Sequence, residues 1–303
     1  MGAELALLAD SLVRSTPLII AGLAVALAFR GGVFNIGAEG QLLVGAIAAT
    51  TVSLAGSEIF GRAIILLSLL SAAFAGAVWA GIAAELRRRF HVLEIISTIM
   101  LNFVAVYLVS FLVRGPLQES THIYPQTESL SVSARLPLLI PDTRLHFGFA
   151  LAIVIAALLS WVFRRTAVGF RIRAAGASPL AALTAGRIDV SRMSFVVFLL
   201  SGALAGIAGG IEVTGVTFAL YENLSPGYGY TAIAVALIAG LNPLGIIGSG
   251  IFFGVLETGA TALQREFGVP SSLASVVEAA LILAALALAA TRGRRLSAFT
   301  TAR

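Results

Sequence analysis

Residues 195–215 read FVVFLLSGALAGIAGGIEVTG, a run in which Glu212 is the one charged side chain. About 20 apolar residues in a helix cross the hydrocarbon of a bilayer, so the run predicts a membrane-spanning helix. Gly202, Gly206 and Gly210 recur every four residues and share one helix face. Because helices in lipid associate by close backbone approach, this face predicts tight packing. A sliding surface used in gating is the alternative.

The composition of the whole chain also indicates a membrane protein. Of its 303 residues 58% are hydrophobic and 12% are charged, whereas soluble domains carry about 25% charged residues. The chain contains no Cys, which excludes disulfides and Cys-bound metal, and its three His are too scattered to predict a metal site. We therefore expect neither a catalytic centre nor a bound cofactor in this chain.

Apolar runs long enough to enter a membrane recur along the chain with short polar breaks. They lie at about 10–29, 34–55, 63–84, 92–113, 147–163, 195–215, 231–241, 244–262 and 271–290. The run at 231–241 is too short to span alone and suggests half of a broken helix. The predicted fold class is all-α: a polytopic membrane helical bundle of about 8–10 transmembrane or half-membrane helices, forming a single domain over 1–303.

Three Arg clusters set the predicted orientation. They lie at 87–89, at 164–192 and at 292–303, and the positive-inside rule places them all in the cytoplasm. Such clustering between apolar runs is typical of membrane topology rather than of nucleic-acid binding. The loop 114–146 is then external, the C-terminus cytoplasmic and the N-terminus external. The external N-terminus suggests that one more helix would normally precede this start.

A polar, glycine-rich break, GGVFNIGAEGQ, interrupts two apolar runs at 31–41. Irregular backbone is tolerated at membrane depth only where it is buried in protein or lines a watery cavity. Asn35 is a predicted N-cap of a helix beginning at Ile36, with Glu39 near the positive end of its dipole. A pore wall or gate hinge that includes Gln41 is the other interpretation, and the two are compatible.

Glu94, Thr98 and Asn102 follow one another at four-residue intervals in an otherwise apolar run. They share one helix face, and polar side chains in membrane helices normally face the bundle interior. Interhelical hydrogen bonding and a polar stripe along a pore both remain open.

The basic loop 164–194 contains a predicted short helix. Ser178 is a good N-cap, Pro179 suits the first helical position, and Gly186 can end the helix after Ala185. This helix either packs on the bundle's own cytoplasmic ends or contacts a soluble partner, most readily through Ala181 and Ala182.

Several segments resemble the permeases of ABC importers of the branched-chain amino acid, simple-sugar and nucleoside type, most closely the nucleoside and simple-sugar permeases. The resemblance covers about residues 14–290 in order. It is carried by RAAGASPLAALTAG at 173–186, FNIGAEGQ at 34–41, TIMLN at 98–102, RGPLQ at 114–118, SPGYGY at 225–230 and NPLG at 242–245.

The resemblance implies a multi-pass subunit of the cell (inner) membrane, with a second similar permease, a cytoplasmic ATPase that uses ATP and Mg²⁺, and an extracytoplasmic substrate-binding lipoprotein as partners. The chain has no GxxxxGK[ST] phosphate loop of its own. The expected translocation path contains Asn35, Glu39, Gln41, Glu94, Thr98 and Asn102. The expected ATPase contact contains Arg173, Gly176, Ser178, Pro179, Ala181, Ala182, Gly186 and Arg187.

Two other functions were open on the residues alone. An ion-coupled secondary transporter would suit broken helices and the membrane carboxylates Glu39, Glu212 and Glu257. An intramembrane enzyme lacks a supporting constellation of side chains. A docking helix in a basic loop favours the ATP-driven importer, which needs one to receive the ATPase's motion, whereas a secondary transporter does not.

Overall fold

The computed structural model describes residues 3–184, 186, 188–267 and the isolated positions 276, 279, 280, 283 and 284. Within them the chain is helical, without a β-sheet, which confirms the all-α prediction. The helices are α1 (Ala3–Arg30), α2 (Ala38–Phe60), α3 (Ile64–Phe90), α4 (Glu94–Val113), α5 (Phe147–Arg165), α6 (Ala167–Ala177), α7 (Pro179–Thr184), α8 (Val190–Ile211), α9 (Tyr228–Ile238) and α10 (Pro243–Phe267). A π-helical segment, Glu212–Thr217, continues α8.

Six described segments are long and apolar enough to cross a membrane. One of them, Ala38–Phe90, has 53 residues and would be about 80 Å long if straight, far more than the roughly 30 Å of hydrocarbon. It folds back at a 3₁₀ turn, Gly61–Ala63, so that the Ser53 and Ser68 hydroxyls hydrogen bond at 2.8 Å. The predicted polytopic bundle is thus confirmed, with α2 and α3 as two crossings.

The glycine face of α8 packs against α2 and α3. A Cβ added to Gly206 would lie 2.1 Å from the Ala72 carbonyl oxygen, and one added to Gly202 would lie 2.4 Å from that of Gly76. A Cβ on Gly45 of α2 would in turn lie 2.4 Å from the Gly206 Cα. The three helix backbones therefore touch one another, at a separation that only small residues permit.

Helix α1 lies in the middle of the bundle, with 83% of its most apolar window buried, against 28% for α4 and for α5. Its antiparallel neighbour α10 approaches through Gly254, which packs on Ser11 and Ser15, and through Gly250, which packs on Ile19. Large apolar side chains of α3, α4 and α5, among them Phe74, Phe103 and Trp161, are exposed on the bundle surface. Such a surface suits lipid or another membrane subunit.

The described helices agree with eight of the nine predicted runs. The apolar run at 231–241 is the short helix α9, which begins inside the bundle against Glu39 and ends at a turn where Leu241 accepts a hydrogen bond from Arg30. The run predicted at 271–290 lies outside the continuously described residues. Helix α6 was not predicted, because its mixed sequence AVGFRIRAAGA shows no clear apolar periodicity.

Candidate functional site

The polar break after α1 is held by a buried cluster of side-chain amides. Asn35 and Gln41 exchange two hydrogen bonds of 2.9 Å, and the Asn35 amide also donates to the Ser201 hydroxyl at 2.9 Å. Ser201 donates in turn to the Ala24 carbonyl at 2.8 Å. These contacts connect α1, α2 and α8 at one level of the bundle, and we call this cluster, together with Asn102 below, the polar frame.

Asn102 fastens the same break to α4. Its side-chain oxygen accepts from the Gly40 amide at 2.9 Å, and its amide donates to the Ile36 carbonyl at 3.0 Å and to the Tyr230 hydroxyl at 3.2 Å. Thr98 is buried one turn earlier, against Gly37. The polar face of α4 thus supplies hydrogen bonds that the irregular backbone of 31–37 does not make within itself.

Glu94, the first residue of α4, holds the first part of the break. It accepts from the Phe34 amide at 2.8 Å and forms an ion pair of 2.5 Å with Arg87 of α3. All three members of the predicted α4 stripe therefore face neighbouring helices rather than lipid.

Glu39 lies where two helices begin. It belongs to the first turn of α2, and it accepts a 2.7 Å hydrogen bond from the Gly229 amide in the first turn of α9. A carboxylate at the positive end of two helix dipoles is electrostatically favoured. Glu39 also lines a cavity of about 210 Å³, together with Ser110, Glu222 and Ser225. Glu39 thus lies beside the polar frame and borders an open cavity.

The predicted capping role of Asn35 is wrong in detail. Helix α2 begins at Ala38 after an N-cap at Gly37 that makes no side-chain cap hydrogen bond. Asn35 instead accepts from the Gly37 amide two residues on, and its amide is engaged by Gln41 and Ser201. The Asn35 side chain therefore closes the turn that precedes α2, because it accepts from the backbone amide of Gly37 and donates to Gln41 and Ser201.

Helix α6 contacts the end of α1 through Gly176. A Cβ on Gly176 would lie 2.2 Å from the Arg30 carbonyl oxygen and 2.7 Å from the Gly32 amide nitrogen. Gly32 has φ +72°, a left-handed conformation that favours glycine. The end of α6 therefore touches backbone at the point where α1 ends and the polar break begins.

Helix α7 exposes Leu180, Ala181 and Leu183, and buries Ala182. Leu180 and Leu183 are 73% and 56% exposed, whereas Ala182 is 5% exposed and its carbonyl accepts from the Ile188 amide at 3.0 Å. The expectation that Ala182 contacts a soluble partner is therefore wrong: it packs on its own chain, and Ala181 is exposed.

The other predicted contact residues surround α7. Ser178 caps it through a 3.4 Å hydrogen bond from the Ala181 amide, Pro179 starts it, and Arg173 and Gly186 are exposed. Arg187 and the predicted last helical residue, Ala185, lie outside the described residues.

The chain between the π segment and α9 was not predicted from sequence. Glu222 pairs there with Arg114 at the C-terminal end of α4, through bonds of 2.6 and 2.7 Å, and accepts from Ser110. The hydrogen bond from Arg114, followed in size by the one from Ser110, lowers the pKa of Glu222 to about 2. The ion pair therefore persists through the mildly acidic pH range. Past it, Ser225 accepts from the Gly227 and Tyr228 amides, and Gly227 has φ +101°. The chain thus re-enters the bundle to start α9.

Known proteins are similar in sequence to this chain over nearly its whole length. Residues 7–286 match the family described as the permease component of the branched-chain amino acid transport system. The chain belongs to this permease family. This match confirms the predicted permease. The family and the apolar helices together show that it is an integral membrane protein, and the family implies that it works with an ATPase and a substrate-binding protein. The permease is a transport subunit rather than an ATPase.

Three curated relatives of the permease have assigned substrates. It is 40% identical to a glucose ABC transporter permease of Haloferax volcanii, over 91% of this chain and 75% of the relative. It is 37% identical to a guanosine ABC transporter permease of Bacillus subtilis, over 92% of this chain and 81% of the relative. It is 31% identical to a nucleoside ABC transporter permease of Lactococcus lactis, over 90% and 77%. No solved structure was found to match.

Proposed function

We propose that this permease carries nucleosides inward through the membrane part of an ABC importer. The observation that carries the proposal is the similarity over about nine-tenths of the chain to permeases named for guanosine and nucleosides. Glucose is the second candidate, because a relative named for glucose is 40% identical. Both solutes are neutral and rich in hydroxyl groups, so both need hydrogen-bond partners rather than countercharge.

The polar frame is proposed to support the path of such a solute from the side. Asn35, Gln41 and Asn102 offer both donors and acceptors without net charge. In the described chain these groups bond to one another and to backbone, so their proposed role is to hold the break at 31–37 open beside the route. Glu39, which lies beside the polar frame and borders the 210 Å³ cavity, is proposed to meet the solute directly.

Uptake by the intact system tests this proposal. The gene for this permease is deleted in its source cells, and uptake of labelled guanosine and labelled glucose is measured with and without a plasmid copy. Loss and restoration of guanosine uptake alone supports the first candidate, and loss of glucose uptake alone supports the second. Normal uptake of both in the deletion strain contradicts the proposal.

The energy for transport is proposed to come from a partner ATPase that docks on α7. Leu180 and Leu183 are large, apolar and exposed on a cytoplasmic helix that is too short to bury them in its own chain. Burial of such side chains against a partner contributes about 1.5–3 kcal/mol each. Arg173 nearby is proposed to pair with carboxylates of the ATPase, which adds about 0–1 kcal/mol at an exposed site.

Leu180→Asp is therefore expected to prevent copurification of the ATPase, because it places a charge in an apolar contact. Uptake should fall at least tenfold while the permease still inserts and pairs with its second permease. Arg173→Ala serves as the matched variant and should retain most ATPase binding. Equal ATPase recovery from Leu180→Asp and wild type would remove α7 from the docking surface.

A further inference from the structure

A second cavity, of about 810 Å³, lies apart from the polar frame, at the end of the bundle where α1 begins and α10 ends. Its walls come from the first half of α1, Arg144, the π segment after α8, the following residues 221–228, and the last half of α10. Sites for small molecules commonly enclose about 300–1,000 Å³, so the space between the described residues is sufficient for a nucleoside or a sugar.

Glu212 is the buried acidic group of this cavity. It lines the wall, is 3% exposed, and its Oε2 has no hydrogen-bond partner among the described residues. A carboxylate can only accept hydrogen bonds while ionised, and leaving a buried one without donors is costly. The site therefore has an acceptor for which the described protein supplies no donor.

Charged side chains of both signs line the rest of the cavity, among them Asp10, Arg144, Arg265 and Glu266. Arg14 of α1 donates from Nη1 to Glu257 of α10 at 2.7 Å, and this ion pair lies on the same cavity wall. Two tyrosines, Tyr221 and the largely buried Tyr228, also line the space. The wall thus combines an unsatisfied carboxylate with aromatic rings, which suit the flat faces of a base or a sugar ring.

The π-helical turn explains how Glu212 reaches this position. Single π turns widen a helix locally and occur often at functional sites. Glu212 is the first residue of the π segment, and Thr214 of the same turn donates to the Gly210 carbonyl at 2.7 Å. The π turn is thus stabilised by a hydrogen bond within the helix, and the Glu212 carboxylate takes no part in that bond.

We infer that the Glu212 cavity is a solute-binding station on the outer side of the path, where the carboxylate accepts hydrogen bonds from neighbouring hydroxyls of the solute. The inference rests on the proposed function, since ribose and glucose both carry such hydroxyl pairs. In this arrangement Glu212 recognises the hydroxyls, and the polar frame holds the break at 31–37 beside the route through the middle of the bundle.

The test compares a solute with and without its hydroxyl pair. The complete transporter is reconstituted in liposomes with saturating binding protein, and initial uptake of guanosine and of 2′,3′-dideoxyguanosine is measured. Glu212→Gln should lower guanosine uptake about tenfold, because a hydrogen bond to a charged group is lost, and should change dideoxyguanosine uptake less than twofold. Glu58→Gln, at the exposed outer end of α2, should change neither rate.

A second measurement does not depend on turnover. Because the chain has no Cys, Thr261→Cys places a single thiol in the cavity wall. Guanosine should slow its modification by an impermeant thiol reagent in right-side-out vesicles, and dideoxyguanosine should not.

The other outcomes are distinct. Equal loss of both uptakes in Glu212→Gln would make the carboxylate structural and overturn the inference. A sodium or proton dependence that disappears in Glu212→Gln would assign the site to a cation and also overturn it. If the wild-type complex imports glucose instead, the same comparison applies to glucose and its dideoxy derivative. If it imports neither solute, the proposed function itself fails.

Discussion

Replacing Asn102 with Leu is expected to lower the free energy of unfolding by about 2–4 kcal/mol and to abolish uptake. The amide side chain is buried and bonds to the Gly40 amide and the Ile36 carbonyl, which are left without these partners by leucine. A larger side chain with no hydrogen-bonding group would also push α4 away from the polar break.

Thermal unfolding in detergent measures this effect, with an expected fall of about 5–15 °C in the midpoint. Two variants on nearby positions serve as controls. Tyr230→Phe removes only one of the partners of Asn102 and should cost less than about 1 kcal/mol, and Met100→Leu, which is 53% exposed on the same helix, should change little. An unchanged midpoint and normal uptake in Asn102→Leu would contradict a structural role for the polar frame.

Gly176→Val is expected to reduce uptake at least tenfold while the ATPase still copurifies. The added side chain would start 2.2 Å from the Arg30 carbonyl oxygen, so α6 has to move away from the end of α1. Overpacking of this kind costs about 1–3 kcal/mol. The exposed leucines of α7 are not altered, so docking should persist while the contact that joins docking to the membrane bundle is lost.

The neighbouring residue gives a matched control for this variant. Ala177→Val adds similar bulk one position later, at an exposed site on the same helix, and should leave uptake close to wild type. Uptake by Gly176→Val and Ala177→Val is compared in cells of equal permease content, with ATPase recovery on the purified complex. Equal uptake by the two variants would show that the contact between α6 and Gly32 does not take part in coupling.

Apolar length predicted most of the fold because each crossing needs a fixed number of apolar residues, whatever its neighbours are. The glycine spacing of α8 likewise indicated a packing face, since that periodicity is a local property of one helix. The sequence also predicted that the run at 231–241 does not span the membrane, because eleven residues are too few to cross the hydrocarbon. These features depend on a single segment at a time.

The contacts between distant segments could not be predicted in this way. Nothing local to Glu39 indicates that it meets the Gly229 amide 190 positions later, or that Arg30 reaches the Leu241 carbonyl. The orientation of α7 was also beyond the sequence, because six residues dominated by Ala and Leu define no unique apolar face. In the sequence Glu212 stands out only as a membrane carboxylate, because its cavity is formed by parts of the chain that are far apart in sequence.

The backbone contacts among α2, α3 and α8 have a mechanical consequence. Where side chains meet, rotamer changes can absorb a small displacement, but Gly45, Gly76 and Gly206 have no side chain that could yield. We therefore expect these three helices to move as one rigid slab during the transport cycle. Bending is then left to the α1–α2 break and to the α9–α10 turn that Arg30 contacts. The glycines that make this slab stiff thus determine where the rest of the molecule has to flex.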